Sequence, residues 1–128
     1  MDPRSHAVLV AEDEPPLVRL MKRVLERAGY EVMVAGDGVS ALEAFTIHRE
    51  RIDIAVLDAA IAPRGCVEIL DRIEAERPSV GVVLASGDAL NGDVRKRMLA
   101  HDGIFLRKPF APHALLRAVE DSLVKEPG

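Results

Sequence analysis

The stretch Ile52-Asp53-Ile54-Ala55-Val56-Leu57-Asp58 constrains this chain more than any other. It is a short apolar run, rich in Ile and Val and free of Gly and Pro, that ends abruptly on a carboxylate. Such runs read as strands buried on both faces, the habit of parallel sheets. A strand of that kind has no structural use for an Asp at its carboxyl end, yet that end is where open α/β folds place their ligands. The plain alternative is that Asp58 caps the following helix, so the rest of the chain must decide.

Three other runs share the apolar character: Ala7 to Ala11, Val80 to Ala85 and Ile104 to Leu106. A fifth, Glu31 to Ala35, alternates more and suits a position near a sheet edge. Between the runs, apolar residues return at helical spacing. The first set is Leu17, Leu20, Met21, Val24, Leu25 and Ala28, with Pro15-Pro16 in the first turn and Gly29 as the stop. Val39, Leu42, Phe45 and Ile47 predict a weaker helix to about Arg51. After a loop from Ala59 to Gly65, Val67, Ile69, Leu70 and Ile73 predict a third that stops before Pro78. A thin apolar face of Val94, Met98 and Leu99 predicts a short helix from Val94 to Ala100, and Leu115, Leu116, Val119 and Leu123 mark the last. Five strands alternating with five helices predict a parallel sheet covered on both faces. The expected fold is α/β, a flavodoxin-like (βα)5 sandwich with strand order 2-1-3-4-5. It forms one domain over residues 1–128, with a core from about residue 6 to 124.

With 48% hydrophobic content the chain can bury such a core, and with no Trp, one Tyr and three Phe the core must be Val, Leu, Ile and Ala. The net charge of −4 argues against nonspecific nucleic-acid binding. The single cysteine, Cys66, excludes an internal disulfide and a cysteine-based zinc site. No run reaches signal-peptide or membrane-span length, so the expectation is a soluble, cytoplasmic protein without membrane contact.

In a parallel sheet all strands share one carboxyl edge. Strand one ends there in Glu12 and Asp13, strand three in Asp58 and strand four in Ser86, while strand five leads into Lys108. In the order 2-1-3-4-5 the switch point falls between strands one and three, which gathers Glu12, Asp13 and Asp58 around one crevice. Three carboxylates that close repel and raise one another's pKa. A hard divalent cation removes the repulsion, and Mg²⁺ prefers a few carboxylates plus waters. Lys108 and Ser86 across the crevice are what an incoming phosphoryl group needs. Asp58 can then act as the nucleophile and form an acyl phosphate. Taken singly, each residue is more often a cap, a turn residue or a solvated charge; five at the ends of four strands are hard to produce by capping.

The motifs Val10-Ala11-Glu12-Asp13-Glu14, Val56-Leu57-Asp58, Leu84-Ala85-Ser86-Gly87 and Phe105-Leu106-Arg107-Lys108-Pro109-Phe110 occur in this order. With them the chain resembles a response regulator receiver domain, the CheY-like module of two-component signalling, over about residues 6 to 124. In motif style it is most similar to receivers of hybrid histidine kinases. The resemblance implies that Asp58 is the phosphoacceptor, served by a histidine kinase or a histidine phosphotransfer protein. It implies Mg²⁺ held by Asp13, Asp58 and the Ala60 carbonyl, with Glu12 acting through water. Ser86 and Lys108 would hold the phosphoryl group, Phe105 would be the aromatic switch, and the peptide before Pro109 would be cis. The residues two after the phosphoacceptor and two after the serine, Ala60 and Asp88, would shape water access. The chain departs from the family pattern after Asp58. Ile61 and Ala62 stand where Met-Pro is usual, proline comes one later at Pro63, and Arg64-Gly65 replaces Asp-Gly one residue short.

The leading expectation is therefore a phosphoryl-accepting signalling switch, not a turnover enzyme, acting as a monomer or weak dimer through its helix 4, strand 5 and helix 5 face. A non-phosphorylated docking module is the alternative. An aspartate-nucleophile phosphatase needs a second Asp two residues after the nucleophile, where Ala60 stands. His6, His48, His101 and His113 read as surface residues. Cys66 reads as a packed residue at the start of the third helix, where a helix N-terminus could lower its pKa.

Overall fold

The computed structural model describes residues 6–61, 63–90 and 92–123, without the side chains of Pro63 and Arg64. Ala62, in the loop discussed above, lies outside them. Ten elements alternate: β1 (Ala7–Ala11), α1 (Pro15–Arg27), β2 (Glu31–Ala35), α2 (Gly38–His48), β3 (Ile52–Asp58), α3 (Pro63–Glu76), β4 (Gly81–Ser86), α4 (Gly92–His101), β5 (Ile104–Arg107) and α5 (Pro112–Leu123). All strand pairs are parallel, in the order β2-β1-β3-β4-β5.

Successive side chains of a strand point to opposite faces, so a strand covered on both sides must be apolar at every position. On one face Leu9, Ala11, Ala55, Leu57, Val82 and Leu84 pack against Phe45 of α2, Ile69 and Ile73 of α3, and Val94 and Met98 of α4. On the other, Val8, Val10, Ile54, Val56, Val83 and Ala85 pack against Met21 and Leu25 of α1 and Leu115 and Val119 of α5. The β1–β3 register slips once, Ala7 lying opposite Ile52 and Val8 opposite Ile54. The extra residue is Asp53. This bulge lets Ile52 and Ile54 serve opposite cores. Asp53 accepts the Ala7 N–H at 3.1 Å and pairs with Arg77 at 3.5 Å. At the end of α1, Gly29 takes φ 102°, which lets its N–H reach the Glu26 carbonyl and the Tyr30 N–H reach that of Leu25.

Several sequence expectations need correction. The second helix stops at His48 rather than near Arg51, and its buried stripe is Gly38, Ala41 and Phe45. Val39 and Ile47, expected on the apolar face, are 71% and 73% exposed because that stripe sits elsewhere on the helix. The third helix begins at Pro63, so Arg64 and Gly65 form its first turn rather than a loop; a proline's fixed φ suits that position. The fourth helix begins at Gly92, and Leu99 is exposed. His101 is buried, not a surface residue. It completes the stripe Val94, Met98, His101 at spacings of four and three, with Nδ1 2.8 Å from Glu74 Oε1 and Nε2 2.7 Å from the Val80 carbonyl. Among the described residues, no helix is long and apolar enough to cross a membrane.

Candidate functional site

The strand ends converge as the order requires. Asp58 closes β3 opposite Ala85 of β4, and the Ala59 N–H donates to the Ala85 carbonyl at 2.9 Å. Ser86 lies opposite Arg107, and the Lys108 N–H donates to the Ser86 carbonyl at 2.9 Å. These backbone bonds fix the phosphoacceptor candidate, the serine and the lysine at one edge. The Lys108–Pro109 peptide is cis. Glu12, Asp13 and Asp58 each offer a carboxylate oxygen, all within 4.8 Å of one another.

Glu12 and Asp58 are almost fully buried, at 1% and 4% exposure, while Asp13 is exposed. Lys108 bridges the buried pair, its Nζ 3.2 Å from Glu12 Oε1 and 3.4 Å from Asp58 Oδ2. The Glu14 N–H donates to Glu12 Oε2 and the Ala60 N–H to Asp58 Oδ1, each at 3.1 Å. Burial raises the Glu12 pKa and the nearby Asp58 charge adds to it, against the lowering effect of the Glu14 amide and Lys108. Burial pulls the Lys108 ammonium down, but Asp58 and Glu12 more than offset it, so its net shift is upward.

Beside Asp58 opens a cavity of about 420 Å³, bordered by Ala60, Ser86, Asp88, Leu90 and Lys108 among others. Ser86 does not point its hydroxyl's hydrogen bond at Asp58: its Oγ donates to the Asp88 carbonyl at 2.7 Å and accepts the Asp88 N–H at 3.2 Å. Phe105 is 42% exposed. Sequence reasoning missed Leu90 of the cavity wall and the supporting Glu14 amide; neither carries a motif signal. It also gave Cys66 the wrong sign. The thiol is buried, donates to the Asp58 carbonyl at 3.4 Å, and is pushed up to about 11 by burial and by the Asp58 charge.

An α/β fold with this strand order carries its acidic crevice at the switch point, where such folds bind their ligands, and comparison with known proteins names the class. The family model of the response regulator receiver domain matches residues 8–120, and the chain belongs to this family. It is 30% identical over 110 residues to the probable transcriptional regulatory protein TcrX of Mycobacterium tuberculosis, covering 86% of this chain and 46% of that protein. It is 34% identical over 116 residues to the probable transcriptional regulator ycf27 of Galdieria sulphuraria, covering 88% and 43%. The chain thus spans less than half the length of these two relatives. Among solved structures, a response regulator receiver domain protein from Clostridium thermocellum superimposes with a TM-score of 0.76 at 28% identity, over 92% of this chain and 94% of that one. Receiver domains of two-component response regulators are signalling switches rather than turnover enzymes.

Proposed function

We propose that this domain receives a phosphoryl group on Asp58 from a histidine kinase or histidine phosphotransfer protein, with Mg²⁺ in the crevice, and relays the change to the face of α4, β5 and α5. The observation that carries the reading is the Asp58 carboxylate itself. It is buried at a strand end, bridged by Lys108, and opens onto a cavity that Ser86 borders.

The three carboxylate oxygens within 4.8 Å suit a hard cation. Asp13 and Asp58, the Ala60 carbonyl, and Glu12 through water would hold it. When bound, Mg²⁺ neutralises the cluster and the equatorial oxygens of the transferring group. In the transfer an Asp58 oxygen attacks phosphorus, a P–O bond forms, and the P–N bond to the donor imidazole breaks with its electron pair returning to that ring. Lys108 supplies a positive charge to the phosphoryl oxygens, and the buried edge limits competing water. Ser86 must give up its bond to the Asp88 carbonyl to donate to the phosphoryl group, which draws the β4–α4 loop inward and frees space for Phe105 to turn in. Moving such an equilibrium from mostly off to mostly on takes about 5.5 kcal/mol of differential stabilisation, a scale that a charge-assisted network can reach.

Incubation with a small acyl phosphate, followed by intact-mass measurement, tests the reading. Wild type should gain one phosphoryl group in Mg²⁺ and none in excess chelator, and Asp58→Asn should gain none. A phosphorylated Asn variant, or equal labelling in chelator, would remove Asp58 and the cation from the proposal.

A further inference from the structure

Among the described residues, β2 pairs with β1 alone, so its other side is an edge of the sheet. The Glu31 N–H donates to the His6 carbonyl, and the Ala35 carbonyl accepts the Glu12 N–H. Backbone groups of successive strand residues turn to opposite sides, so Glu31, Met33 and Ala35 face β1. Val32 and Val34 turn their N–H and C=O groups outward, where no other described strand lies. We infer that this edge pairs with the same edge of a second copy, antiparallel about a two-fold axis at Met33, and so joins the two sheets into one.

Edges that stay unpaired are commonly guarded by a lysine, a proline or a bulge. Glu31-Val32-Met33-Val34-Ala35 has no lysine or proline, its register with β1 is unbroken, and its one charge, on Glu31, is paired with Arg51. Val34 is 41% exposed, on the same face as Val32, which packs against the α1 core. The other face has an uncovered apolar residue too. Arg72 of α3 bonds Thr46 Oγ1 at 2.7 Å, so that flank of α2 meets α3. Ile47, turned about 100° further round the helix, lies with Ser40 and Ala44 on the opposite flank, beside β2. On α1, Leu17 and Leu20 face Pro109 and Phe110, which leaves the flank of Lys22 and Glu26 on the β2 side.

The edge is complementary to itself. Pairing about Met33 sets Val32 opposite Val34 of the other copy, twice, and each such pair exchanges both its N–H···O bonds. Glu31 falls opposite Ala35, so no like charges meet across the strands. On one face the two α1 helices lie antiparallel, which brings Arg19 of each toward Glu26 of the other. On the other face Ile47 meets Ser40 and Ala44, whose small side chains let the α2 helices approach. An extended peptide fits less well, because it bonds only Val32 and Val34 and leaves Ile47, a layer away from the strand, uncovered. β2 and β5 close opposite ends of the sheet, so the contact stands or falls independently of the switch at Asp58.

Sedimentation velocity from about 10 μM to about 1 mM, with amide hydrogen exchange at both ends of that range, tests the inference. A dimer should grow in with concentration, and the Val32 and Val34 amides should become protected with it. The amides of Phe105 and Arg107, which turn outward on the free edge of β5, should not change. Val34→Lys and, separately, Ile47→Glu should each weaken the dimer about tenfold or more while the monomer keeps its circular dichroism. If Val34→Lys loses its native spectrum, Ile47→Glu, on an exposed helix surface, decides. A monomer throughout, a dimer that either natively folded variant leaves intact, or protection on β5 instead of β2 overturns the inference. A protein that stays monomeric while a strand-forming peptide protects the Val32 and Val34 amides overturns it in favour of an extended segment.

Discussion

Asp58→Asn should make the protein more stable in chelator and less stable in Mg²⁺. The substitution removes one negative charge from three carboxylates and one ammonium, while the side-chain carbonyl keeps the bond from the Ala60 amide. At an effective dielectric near 20, unit charges 4.8 Å apart repel by about 3.5 kcal/mol, and an ammonium at 3.4 Å attracts by about 5 kcal/mol. Asp58 meets two such repulsions and one such attraction, so the balance runs about 2 kcal/mol against its charge. Solvent around the exposed Asp13 lowers this toward about 1 kcal/mol. For a domain of this size, a gain of about 1–2 kcal/mol raises the melting midpoint by about 3–10 °C. Excess Mg²⁺ should reverse the order on the proposed reading, since a ligand at a hundred times its Kd stabilises wild type by about 2.7 kcal/mol and the variant lacks one of the carboxylates that would hold the ion. Thermal unfolding followed by far-ultraviolet circular dichroism, in chelator and in Mg²⁺, reads both. The gap also has a pH sign. Glu12 binds its proton more tightly in the folded state, so its stabilising contribution is full below its ordinary pKa of 4.5 and is lost as pH rises through the raised folded value. Part of that shift comes from Asp58, so the advantage of the Asn variant in chelator should shrink as pH falls into the carboxylate range. An Asn variant that melts below wild type in chelator, or a ranking that Mg²⁺ leaves unchanged, refutes the electrostatic argument.

Ala60 and Asp88 both border the Asp58 cavity, and Ala60→Arg should change the dephosphorylation rate more than Asp88→Ala; a larger effect at position 88 reverses the assignment. His101→Phe leaves the Val80 carbonyl without its ring donor and should cost about 2–3 kcal/mol in urea unfolding, whereas a loss under 0.5 kcal/mol would show that water replaces the bond. Cys66, buried with its thiol pushed up to about 11, should react with a maleimide only at the rate of local opening and hence become labelled fast only in denaturant. Rapid native labelling at neutral pH would contradict that placement.

What the sequence revealed and what it hid follow one division. Strand ends were legible because a residue buried on both faces must be apolar, so a lone Asp58 or Lys108 beside such a run announces the edge where packing stops. The helical faces were less legible because periodicity fixes spacing but not which stripe meets the sheet. Val39 and Ile47 satisfied the spacing and face solvent, while His101 closes the α4 stripe because Glu74 and the Val80 carbonyl, distant in sequence, lie within hydrogen-bond distance of its ring nitrogens. Asp53 hid the β3 bulge, since a bulge is a relation between two strands and neither reveals it alone. Cys66 reversed sign for the same reason: the helix start was visible locally, but Asp58, eight residues earlier, supplies a negative charge beside a desolvated thiol. Ser86 carries the argument into function. Its residue type and position at a strand end marked it as a candidate phosphoryl ligand, but its hydroxyl is already committed to Asp88. A group with an alternative partner costs little while it waits and can be recruited only by a stronger acceptor. On the proposed reading, that competing bond is what makes the crevice a switch with two states rather than a preformed phosphate site.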